Sequence, residues 1–140
     1  MKIVVALDSF KGTMTAKQAC ARAAAGIRDA HPDWTVAEVP MADGGEGTAA
    51  ALAASQEGEM VCVSGVQGPL PEMRVDAEYA WLSDTRTAVV EMASASGLPR
   101  LADDQKNPMR TNTFGTGQLV RHAMKRGCRH LLLTLGGSAT

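Results

Sequence analysis

Ile3 to Leu7 is an unbroken apolar run rich in β-branched residues, the pattern of a strand covered on both faces. Asp8-Ser-Phe-Lys-Gly12 interrupts it. Thr15 then suits an N-cap, and Ala16 to Ala30 continues in strong helix formers until His31-Pro32-Asp33 ends the helix. Ala19, Ala23, Ile27 and Ala30 lie near helical spacing and form a slim packing face. Trp34 to Val39 reads as a second strand, and alanine-rich Thr48 to Ser55 as a second helix. The order β-loop-α-β-loop-α predicts an α/β fold with a parallel sheet and crossover helices.

Glu59 to Val66 alternates and reads as a third strand. Gly68-Pro-Leu-Pro71 marks a turn and a boundary, which divides the chain into a first α/β lobe, 1–67, and the start of a second, 68–140. Met73 to Leu82 and Thr87 to Met92 are β runs joined by Ser83-Asp-Thr-Arg86, a hairpin that makes the sheet mixed. Ala93 to Arg100 is a short helix or loop, and Leu101 to Arg110 an exposed loop. Thr111 to Gly117 is a stretch of hydroxyls and glycines opening a helix, Gln118 to Arg126, with Gly127 at its C′ position. His130 to Leu135 is a buried-type strand ending in Gly136-Gly-Ser-Ala-Thr140. Such a strand should feed a helix, so the sequence is expected to be the N-terminal portion of a longer protein, with a truncated fold.

A length of 140 residues allows a real core. The net charge of −1 leaves no basic field for nucleic acid and no polybasic membrane patch. No apolar run approaches the roughly 20 residues that cross a bilayer, and the N-terminus lacks signal-peptide features. Cys20, Cys62 and Cys128 form no CxxC pair; they are expected to be reduced thiols of a cytoplasmic protein, at least two of them buried. His31, His122 and His130 share no metal-ligand spacing.

Candidate chemistry concentrates in Pro40-Met-Ala-Asp-Gly-Gly-Glu-Gly-Thr48. Gly44, Gly45 and Gly47 can adopt positive φ and bring their amides to an anion, helped by the N-terminus of the following helix. Asp43 and Glu46 in the same turn suit a phosphate accompanied by Mg²⁺. The competing reading is a tight turn with Glu46 placed for the helix dipole. Asp8–Gly12, Thr111–Gly117 and Gly136–Thr140 are further polar loops at the ends of apolar runs, where open α/β sheets bind ligands. Hydroxyls, a lysine and acids in such loops fit phosphoryl transfer. GxxxxGK[ST], a complete GxGxxG, the protein-kinase HRD and DFG set and GxSxG are all absent.

Together with Glu91-Met-Ala-Ser-Ala-Ser-Gly-Leu98, Asn107-Pro108 and Leu135-Gly-Gly-Ser-Ala-Thr140, these loops resemble the ordered signature blocks of the bacterial type I glycerate kinases. The resemblance runs through essentially the whole chain. It implies a two-lobed α/β fold with an interlobe cleft, and phosphorylation of D-glycerate by ATP and Mg²⁺ to 2-phosphoglycerate. Family members are much longer, and their last block continues past Ser-Ala-Thr. The alternatives are a non-catalytic fragment or ligand-binding module, and a related kinase for another small hydroxy acid. A homo-oligomer is compatible with each.

Within that frame Lys11 is the first choice for a phosphate contact, as a point charge in a strand-end loop. Asp8 and Asp43 are the candidate catalytic acids, with Asp43 as general base or, with Glu46, metal ligand. Ser9, Gly44, Gly45, Gly47, Thr116, Gly117, Gly136, Gly137 and Ser138 are candidates to bind phosphate or substrate. Each has an ordinary competitor: a solvated lysine, a turn-forming aspartate, a hydroxyl cap. Glu91 ends an apolar strand and either reaches the site or sits at an edge. Arg74, Arg86 and Arg110 could each hold a carboxylate.

Overall fold

The computed structural model describes residues 1–140 and divides them into two compact units, Met1–Asp43 and Gly44–Thr140. The first unit pairs β1 (Lys2–Val5) in parallel with β2 (Thr35–Glu38), register Ile3 opposite Val36. Helix α1 (Ala16–Ala30) makes the crossover. It starts where the sequence predicts: Thr15 accepts from the Gln18 amide while the Gln18 side chain accepts from the Thr15 amide, a reciprocal capping box. Val5, Cys20 and Ala24 form the core, with Ile3, Leu7, Ala23, Ile27 and Val36 packed around it. Ala30, expected on this face, is exposed. Past the helix, the His31 and Trp34 rings stack at 3.8 Å.

The second unit begins with α2 (Thr48–Ser55) and builds a four-stranded sheet from β3 (Glu59–Gln67), β4 (Arg74–Leu82), β5 (Thr87–Glu91) and β6 (His130–Thr134), in that spatial order. β3–β4 and β4–β5 are antiparallel, while β5–β6 is parallel, so the sheet is mixed. Short α3 (Met92–Ser96) and α4 (Phe114–Lys125) lie between β5 and β6 in the chain. The strand alternation splits the core. Tyr79, Trp81, Ala88 and Val90 face one way and pack with Ala95 of α3 and Leu119 and Ala123 of α4. Ala80, Leu82 and Val89 face the other way onto Ala49 and Ala53 of α2. Arg126 lies over the Trp81 ring, 5.0 Å from its centre, and pairs with Glu59.

The turn at Gly68–Pro71 joins β3 and β4, two paired strands of the second unit. Several expectations are corrected here. Helix α4 begins at Phe114 rather than Gln118, because a helix start is packed so closely on β3 that a Cβ on Gly115 would lie 1.8 Å from the Gln67 carbonyl oxygen. β6 was expected to be buried, but Leu131, Leu132 and Leu133 are each more than 40% exposed, since β6 is an edge strand and none of the three joins a core cluster. Of the three free cysteines only Cys20 is buried; Cys62 is exposed and Cys128 half-buried.

Candidate functional site

The polar loops collect at the carboxyl ends of parallel strands in each unit. In the first unit the β1–β2 ladder runs on beyond the strands, with the Val39 amide donating to the Val5 carbonyl at 2.8 Å and Met41 to Leu7 at 2.9 Å. Asp8 therefore leaves β1 at the same edge at which the chain leaves β2 towards Asp43. Asp8 is exposed, and its Oδ1 accepts the Ser9 amide at 2.6 Å. The next residues close a tight turn, in which the Phe10 amide donates to Met14 and the Thr13 and Met14 amides donate back to Phe10. Lys11 stands exposed near its tip. Asp43, also exposed, ends this unit.

In the second unit β5 and β6 end side by side, Glu91 opposite Thr134. Gly44 (φ +94°) and Gly47 (φ +91°) bend the chain into α2, a conformation costly for residues with a Cβ. The Gly136 amide donates to the Gly44 carbonyl at 2.9 Å, and a Cβ on Gly136 would lie 2.6 Å from the Gly45 Cα. The loop after β6 and the turn before α2 thus touch backbone to backbone, which only glycine at 136 permits.

The buried carboxylate of Glu91, 6% exposed, faces the N-terminus of α2. Both of its oxygens accept the Gly47 amide at 3.1 Å, and Oε2 accepts the Ala49 amide at 3.2 Å. Burial pushes its pKa above the ordinary value; the Ala49 and Gly47 amides oppose the rise, and the Glu46 charge adds to it. The Gly47 amide, a candidate phosphate contact, here donates to the protein's own carboxylate. Sequence reasoning left Glu91 between an edge position and the site, and neither predicts a helix cap 44 residues away.

The remaining candidates divide. Glu46 is exposed on the turn. Thr116, expected to donate to a ligand, is buried, with its hydroxyl 2.9 Å from that of Ser96. Gly117 lies inside α4, so it is not part of a loop. The Gly137 carbonyl accepts the Leu98 amide, and Ser138 bridges to Gly97 and bonds the Thr140 hydroxyl. Arg74 donates to the Pro71 and Met73 carbonyls. No helix is long and apolar enough to cross a membrane.

Comparison with known proteins agrees with the loop pattern. The sequence profile described as "Glycerate kinase family" matches residues 3–140. A glycerate kinase of Halalkalibacterium halodurans is 45% identical over 99% of this chain and 36% of its own length. A glycerate 2-kinase of Escherichia coli is 39% identical over 100% of the chain and 36% of its own. A crystal structure of a Salmonella typhimurium LT2 protein described as "putative glycerate kinase 2" superposes with a TM-score of 0.76 at 43% identity, covering 99% of this chain and 37% of that one. The chain spans about a third of the length of these relatives, 36–37%.

Proposed function

The chain belongs to the glycerate kinase family, and on that premise we propose that the whole protein transfers the γ-phosphoryl group of ATP to D-glycerate, giving 2-phosphoglycerate in the cleft expected between its lobes. The observation that supports this reading lies in the second unit, where the Glu46-bearing Gly44–Gly47 turn meets the loop after β6, with the Gly136 amide on the Gly44 carbonyl. Phosphoryl transfer asks for positioned charge rather than covalent chemistry. Lys11, exposed on its turn, supplies a cation for phosphate oxygens, and Ser9 a hydroxyl donor. Asp43 orients the attacking hydroxyl of glycerate and takes its proton.

No three His, Cys, Asp or Glu side chains converge as a metal cage. Mg²⁺ that arrives on a nucleotide needs only one or two carboxylates beside phosphate oxygens and water. Asp43 and Glu46 are the right donor types, and the ion would neutralise phosphate charge. Three free thiols fit a reducing cytoplasm.

The test is a coupled ADP-release assay on the whole protein with D-glycerate and a panel of other small hydroxy acids. Asp43→Asn should lower kcat about 10²- to 10⁴-fold, the range of a lost general base, without unfolding the protein. Near wild-type turnover removes Asp43 from the mechanism, and a preference for another acid reassigns the substrate. Absence of any hydroxy-acid-dependent ADP release leaves the ligand-binding reading.

A further inference from the structure

We propose that Glu91 is a positioning residue of this site: anchored at the carboxyl end of β5, it holds the Gly44–Gly47 turn, and through it Glu46 and the Gly136 loop, in the geometry that phosphoryl transfer uses. The inference rests on the glycerate kinase reading above and concerns a residue with no direct part in it.

A carboxylate that is 6% exposed normally requires a cationic partner. None of the ion pairs here includes Glu91; they join Arg28 to Glu38, Lys106 to Asp103 and Arg126 to Glu59. Its charge is met instead by the Gly47 and Ala49 amides and the positive end of α2. The ionised group therefore has one favourable arrangement, with the helix terminus placed on it. Gly47 is fixed by those bonds, and Gly44, three residues earlier in the same turn, accepts the Gly136 amide at 2.9 Å. Glu46, exposed, sits between these two fixed points. One buried carboxylate thus links the ends of β5 and β6 and the start of α2, and the exposed acid it steadies is the metal-ligand candidate.

The test compares wild type, Glu91→Gln and Glu91→Ala in the whole protein. It measures D-glycerate-dependent ADP release and the amide resonances of Gly47 and Gly136 in glycine-labelled protein. Loss of the charged acceptor should move the Gly47 resonance, and Gly136 with it. It should lower kcat about 10- to 100-fold, as misplacement of a reacting group does, while KM for glycerate changes less than about threefold, because ground-state binding is untouched. If Glu91→Ala fails to fold, the near-isosteric Glu91→Gln decides. Unchanged kcat with a shifted Gly47 makes Glu91 a helix cap only and overturns the proposal, as does an unmoved Gly47. If wild type shows no glycerate-dependent turnover, the kinase reading fails instead. The resonances then decide alone: a Gly136 shift in Glu91→Gln upholds the linkage, and a still Gly136 refutes it.

Discussion

Gly136→Ala separates two uses of a glycine, admission of a ligand and admission of another stretch of backbone. Its added methyl would lie 2.6 Å from the Gly45 Cα, 2.7 Å from the Gly45 nitrogen and 2.9 Å from the Gly44 oxygen. All three atoms are main chain, so no side-chain rotation relieves the clash. Overpacking of this kind costs about 1–3 kcal/mol, and losing the Gly136-to-Gly44 hydrogen bond adds about 0.5–1.5 kcal/mol. The variant should therefore be about 1.5–4.5 kcal/mol less stable than wild type in urea-induced unfolding, with no ligand present. The m-value should stay unchanged, since the same surface is exposed on unfolding. A glycine kept open only for phosphate would behave otherwise, with unfolding unchanged and nucleotide affinity lost. Stability within about 0.5 kcal/mol of wild type, the range of an ordinary surface substitution, refutes the docking of these two loops.

Three further outcomes follow from the packing. The raised Glu91 pKa means that the folded protein holds this proton more tightly than the unfolded chain; the stabilisation from it is complete below the ordinary value of 4.5 and is lost as pH rises through the folded value. The unfolding free energy of wild type minus that of Glu91→Gln should accordingly fall with rising pH across that window, and a rise would contradict the assignment. Leu119→Ala, at a fully buried position between α4 and the sheet, should cost about 2–5 kcal/mol by the same unfolding measurement. Thr15→Ala removes half of the α1 capping box and should cost about 1 kcal/mol, with faster exchange of the Gln18 amide.

What the sequence made legible was local. Helix α1 is read correctly to the residue because its start signal, Thr15, and its stop at His31-Pro32-Asp33 lie beside the segment itself. The hairpin of β4 and β5 follows likewise from alternation and a short polar turn. The misreadings share a cause in distant neighbours. Gly115 reads as loop until the Gln67 carbonyl, 48 positions earlier, explains why a helix needs it. Leu131–Leu133 look like core because composition reports apolarity and not what covers it. Glu91 carried no local mark beyond being an acid at the end of an apolar strand, and its partners come from a helix formed earlier in the chain. At the site, the acids and lysine were visible as residue types. Which glycine amides were already occupied depended on the fold.

The two tryptophans have a practical consequence. Trp34, stacked on His31, belongs to the first unit, and Trp81, buried beneath Arg126, to the second. Each unit therefore carries its own intrinsic fluorophore in a distinct setting. Iodide should quench the half-buried Trp34 far more readily than Trp81, and Trp34→Phe leaves a spectrum that reports on the second unit alone. Following both signals through one denaturant titration shows directly whether the two units melt as a single cooperative body or one after the other.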